Sequence, residues 1–172
     1  MKMITETAQM LSTCLRQHGI YDDEMYEPFN PKHPCNLWIM ESRANAEWVI
    51  QLGLALGVQN YKIYHKEHSS VPIIRKALNY IDVFPNKPET PFKMAMFPQF
   101  MTDDVVHSYR LFYAGAKFRF AKWKIQQPYW WDEYRKFVIE KGLEVANEKD
   151  DGVKSRRKNK ASKVSNQTNQ SI

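Results

Sequence analysis

The sequence predicts an all-α protein: a compact single-domain bundle of about five helices over residues 1–147, followed by a disordered basic tail over 148–172. Three observations carry this reading. Apolar residues recur at three- and four-residue intervals in several segments, the spacing of one helix face. Prolines, which break regular helix, gather in two connections. The C-terminal stretch is rich in Lys, Ser, Asn and Gln and holds too little apolar surface to order itself.

The first helix is expected from about Ile4 to Gln17, with Met3, Thr7, Met10, Leu11 and Cys14 on its inner stripe and Gly19 as its stop. Pro28, Pro31 and Pro34 make residues 21–35 a loop. A second helix is expected from Asn36, as N-cap, to Gly57, with a further segment over Tyr61 to His68 after a break at the glycine. Pro72 suits the first turn of a short helix reaching about Tyr80. Prolines at 85, 88, 91 and 98 make Val83 to Met101 an extended surface connection, either a functional loop or a strap across the body. Thr102 is the expected N-cap of the next helix, whose stripe is Val105, Tyr109, Phe112, Ala116, Phe120 and Trp123. The last helix is expected from Trp131 to Ala146.

Composition limits the function classes. Hydrophobic residues make up 43% of 172, enough to bury one core. The two cysteines, Cys14 and Cys35, are too few for a disulfide framework, which suits a reducing, cytoplasmic setting. No apolar run reaches the length of a membrane span, so no membrane partner is expected. The formal charge is +6, but seven cations against three acids from Glu148 onward place about +4 of it in the tail. Local clustering in the body is therefore more informative than the total.

That clustering is densest at Tyr109 to Lys124, where Arg110, Lys117, Arg119, Lys122 and Lys124 alternate with aromatics and no acid intervenes; Tyr129, Trp130 and Trp131 follow. Cations neutralise phosphates and flat rings stack on bases, so Arg119, Lys122, Trp123, Lys124 and Trp130 are the expected nucleic-acid contacts. The same aromatic stripe also suits a helix core. On the second expected helix, Trp38, Ser42 and Asn45 fall within one arc, on a face that otherwise reads as buried. Their polar groups either pair inside the fold or line a pocket. His65 and His68 share a helix face, but no third ligand accompanies them, and neither a metal nor a cofactor is expected. His68, beside Ser69 and Ser70, is instead a candidate polar or phosphate contact. Glu6, four residues after Lys2, is either an exposed helical ion pair or a carboxylate that moves protons.

Several segments also carry a family likeness: Lys2 to Leu11, His33 to Trp38, Glu41 to Asn45, Tyr64 to His68, Tyr109-Arg110 and Lys122-Trp123. Together, over roughly Met1 to Trp131, they resemble a largely uncharacterised family of small helical proteins from phages and bacteria. That resemblance implies a further turn-rich segment, with a histidine, ahead of the first helix. The organisation is more distantly similar to phage pyrimidine-dimer DNA glycosylases, in which a terminal amine attacks and a first-helix glutamate assists. This likeness gives Glu6 the glutamate's place, while Met1-Lys2 supplies no small-residue amine to match.

The expected function is therefore that of a phage-type DNA-binding protein, with base excision or base modification as its enzymatic form and Glu6 as the catalytic residue. Trp38, Ser42, Asn45 and His68 would line a pocket for a nucleotide or extruded base. The alternatives are a small-molecule enzyme acting on nucleotides and a non-catalytic protein that docks on a host factor.

Overall fold

The computed structural model of the chain describes residues 2–145. All regular structure among them is helical: α1 (Lys2–Gln17), α2 (Pro34–Glu41), α3 (Arg43–Tyr64), α4 (Val71–Lys76), α5 (Val105–Ala116) and α6 (Trp131–Glu140). Short 3-10 turns cover Ala77–Val83, Pro98–Phe100 and Phe118–Phe120. The all-α expectation holds, and the body expected as one domain divides into two compact units at Met96 and Phe97. The basic tail expected over 148–172 lies outside the described residues.

In the first unit, α1 turns Ile4, Thr7, Ala8, Leu11, Cys14 and Leu15 inward, and all six are buried. This stripe is rotated from the expected one, since Met3 is exposed and Ile4, Ala8 and Leu15 do the packing. Thr7, Ser12 and Thr13 are buried hydroxyls, and each donates to the carbonyl four residues earlier. Ser12 and Thr13 also accept from the backbone N–H groups of Tyr26 and Phe29, so α1 holds the following loop in place. Gly19, at φ +81°, ends α1 as expected.

The second expected helix is two helices. Ser42 stands between α2 and α3 with an extended backbone (φ −156°, ψ 154°), and its hydroxyl accepts from the N–H of Asn45. Capping breaks the chain here: a serine oxygen satisfies an N–H that a continuing helix would have bonded to a carbonyl. Farther along, α3 runs straight through Gly57, where a break was expected, and ends at His65 in the left-handed region (φ 51°). The glycines serve packing instead. A Cβ on Gly53 would lie 2.8 Å from both Ile74 Cδ1 and Thr7 Cγ2, and one on Gly57 would lie 2.6 Å from Val71 Cγ2. They let α1 and α4 close onto α3.

In the second unit, Asp104, rather than Thr102, caps α5; its carboxylate accepts from the N–H groups of Val106 and His107. Those bonds hold the Asp104 carboxyl below its usual range. The inner face of α5 is Ser108, Leu111, Ala114 and Gly115, not the aromatic stripe. Small residues there admit Phe100, which is fully buried. The helix stops at Ala116, well short of Trp123, and residues 121–130 carry no helix. The last helix is likewise shorter than expected. It ends at Glu140, Gly142 turns the chain at φ +62°, and the N–H of Val145 donates to Gly115 O.

Candidate functional site

The end of α5 puts the aromatic–basic stretch on the surface. Because the helix stops, Phe120 and Trp123 leave the core line: they are 63% and 41% exposed. Arg119, Lys122 and Lys124 are exposed with them. Arg119 therefore stands on the surface, clear of any buried stripe. Its guanidinium lies 5.4 Å from the Phe118 ring. Among the described residues, neither Arg119 nor Lys122 forms an ion pair with an acid.

Residues 128–134 add a set of rings. Trp131, buried, packs edge-on to Trp123 at 5.1 Å and contacts Trp130 at 5.9 Å. Trp130 meets Tyr134 at 5.5 Å, and Tyr134 meets His107 at 5.3 Å. Tyr129 is 89% exposed. Arg110, on α5, lies among three of these rings, 5.7 Å from Tyr129, 5.5 Å from Trp130 and 5.8 Å from Tyr134. It also donates to the Tyr129 hydroxyl at 3.2 Å. Hydrogen bonding by Tyr134, then Tyr129, holds Arg110 above its ordinary pKa. A guanidinium so placed is a fixed cation against π-faces.

The rest of the unit fixes this surface. Arg135 stacks on Phe118 at 4.0 Å, donates to Ala114 O at 2.6 Å and pairs with Glu144 at 2.6 Å. One side chain thus joins α5, the Phe118–Phe120 turn, α6 and the segment after it. Beside the rings, a half-open cleft of about 230 Å³ lies between α5 and α6, lined by His107, Leu111, Glu133, Tyr134 and Phe137. His107 Nδ1 and the Tyr134 hydroxyl, both in its lining, share a hydrogen bond of 2.8 Å.

The remaining predicted residues belong to the first unit and are occupied there. The buried indole Nε1 of Trp38 donates to Thr90 O at 3.1 Å. Asn45 Nδ2 donates to Trp38 O at 2.7 Å and to Thr90 Oγ1 at 2.8 Å, while Asn45 Oδ1 accepts from Thr90 N at 3.0 Å. Thr90 Oγ1 donates in turn to Glu41. Ser42 is the cap already described. These residues do come together, but to fasten the proline-rich strap, with Phe92 packed on Trp38 and Trp48. His68 Nδ1 accepts from Ser70 N, closing a turn, and Ser70 Oγ meets the Tyr26 hydroxyl. His65 is a helix cap, and no group of three or more potential metal ligands occurs among the described residues. Glu6 pairs with Lys2 at 3.1 Å on the exposed side of α1.

The expected contacts do not include His107, Arg110, Glu133 or Tyr134. Spacing held the signal. His107 and Leu111 are four apart on one helix, and Trp130, Tyr134 and Phe137 recur at four and three. No protein-family model, curated protein or solved structure matches the chain. No helix among the described residues is long and apolar enough to cross a membrane.

Proposed function

We propose that the second unit binds single-stranded DNA, stacking bases on Trp123, Tyr129 and Trp130 while Arg119, Lys122 and Lys124 neutralise the backbone. The observation that carries this is the exposure of Tyr129 and Trp123 within a stretch from Val105 to Trp131 that holds five cations and no acid. A single strand suits it better than a duplex, because the exposed rings of Trp123 and Tyr129 accept the faces of unpaired bases, which a duplex keeps stacked. The proposal is one of binding. Base excision through Glu6 gains nothing from an exposed ion pair on α1, and the Trp38–Asn45 group is engaged in holding the strap.

Fluorescence anisotropy of a labelled oligothymidylate titrated with the full chain tests it. Binding should weaken with salt at a log–log slope of roughly −0.7 per neutralised phosphate. Trp123→Ala and Tyr129→Ala should each raise Kd by about 5- to 150-fold, the equivalent of ~1–3 kcal/mol per stacked base. Salt-independent association, or wild-type affinity in both variants, would refute it; the second result would assign binding to the tail.

A further inference from the structure

We infer that the cleft between α5 and α6 takes one base of the bound strand and prefers guanine. The inference rests on the nucleic-acid reading above and adds a specificity to it.

Size and position come first. At about 230 Å³ the cleft falls below the roughly 300–1,000 Å³ of pockets that enclose drug-sized ligands, so it suits one ring system rather than a whole nucleotide. It lies at the end of the run of rings: Trp130 touches Tyr134, and Tyr134 and His107 are two of its walls. A strand stacked on Tyr129 and Trp130 reaches it by continuing along the same surface.

The lining chemistry then selects the occupant. Leu111 and Phe137 offer apolar surface to a ring face. Tyr134 and His107 are held together by their shared hydrogen bond, so this wall is formed before a ligand arrives. Glu133 is the one acid in the lining. An ionised carboxylate only accepts hydrogen bonds, and its two oxygens match two donors side by side. Guanine alone among the four bases presents such an edge, its N1–H beside its 2-amino group. Adenine and cytosine offer one amino group next to an acceptor nitrogen. Thymine offers its N3–H between two carbonyls, which a carboxylate repels. The expected order is therefore guanine first and thymine last.

The test is competition. Unlabelled thymidine hexamers, all-thymine or with one central guanine, hypoxanthine, adenine or cytosine, displace the labelled oligothymidylate from the full chain at fixed salt. The guanine hexamer should bind about fivefold or more tightly than the all-thymine one, the lower end of what a bidentate base contact supplies. Hypoxanthine, which keeps the purine ring but lacks the 2-amino group, should lose most of that gain; this separates edge recognition from stronger purine stacking. Glu133→Gln should bring guanine and hypoxanthine to within about twofold of each other while the all-thymine hexamer still binds. Equal binding of guanine and hypoxanthine by the wild type, or an unchanged gap in Glu133→Gln, overturns the pocket and leaves the binding surface standing. Failure of every hexamer to compete removes both.

Discussion

Replacing Asn45 with alanine should unfasten the strap from the first unit. The change deletes three hydrogen bonds, those of Asn45 Nδ2 to Trp38 O and Thr90 Oγ1 and that of Thr90 N to Oδ1. Each contributes about 1 kcal/mol net, and a shielded group left without a partner costs about 1–3 kcal/mol. Asn45 is fully buried, so water does not replace it freely, and the expected loss is about 2–4 kcal/mol. In a cooperative unit of this size that lowers Tm by roughly 10–25 °C. Urea unfolding followed by far-UV circular dichroism measures it. Thr90→Val, which keeps the backbone N–H but removes the hydroxyl, completes a double-mutant cycle. The coupling expected for the one shared side-chain bond is about 0.5–1.5 kcal/mol. A loss under about 1 kcal/mol for Asn45→Ala would refute the reasoning, because a residue so placed cannot then be holding anything.

Three further outcomes follow from the packing and electrostatics. Gly57→Ala should destabilise by about 1–2 kcal/mol, since overpacking against Val71 outweighs the better helix propensity of alanine; Val71→Ala in the same chain should restore part of the loss in urea titrations. Asp22 donor contacts, with Lys76 first and then the N–H of Glu24 and the Tyr80 hydroxyl, hold its carboxyl down to about 2 from 3.8. A lowered folded pKa gives stability that is complete above the unfolded value and lost as pH falls from about 4 to 2, so Asp22→Asn should flatten that limb of a pH–stability curve. Burial pushes the Cys14 thiol up to about 12, so a thiol reagent at pH near 8 should spare Cys14 in the native protein and reach it on unfolding; native labelling at the unfolded rate would contradict the burial.

Helix content and most helix positions were legible in the sequence, because period and proline placement are local signals. The errors came from side chains acting as chain terminators or spacers. Ser42 sits in phase with Trp38 and Asn45, so periodicity runs through it, and only its capping bond to Asn45 N reveals the break. Gly57 resembles a helix stop, yet its lack of a Cβ is used by Val71, a neighbour distant in sequence. Past Ala116 the aromatic spacing continues while the helix does not, so Phe120 and Trp123, whose spacing suits a helix core as well as a binding surface, lie exposed. For the candidate site, composition gave the cations and rings, but the Arg110 cluster and the cleft beside it depend on how α5 and α6 pack. The polar group at Trp38, Ser42 and Asn45 was found as a set, and its partner, Thr90, lies too far along the chain for local pattern to show.

Prolines at 85, 88 and 91 each fix φ near −65°, so the free segment samples far fewer shapes than an ordinary linker of equal length. Little freedom then remains to be surrendered when Phe84 is buried, Thr90 is bonded and Phe92 settles on two indoles. Alanine at all three positions would leave every one of those hydrogen bonds available and still weaken the protein, by about 0.4–1 kcal/mol for each ring removed. The damage would be done in the denatured ensemble, by making disorder more attractive.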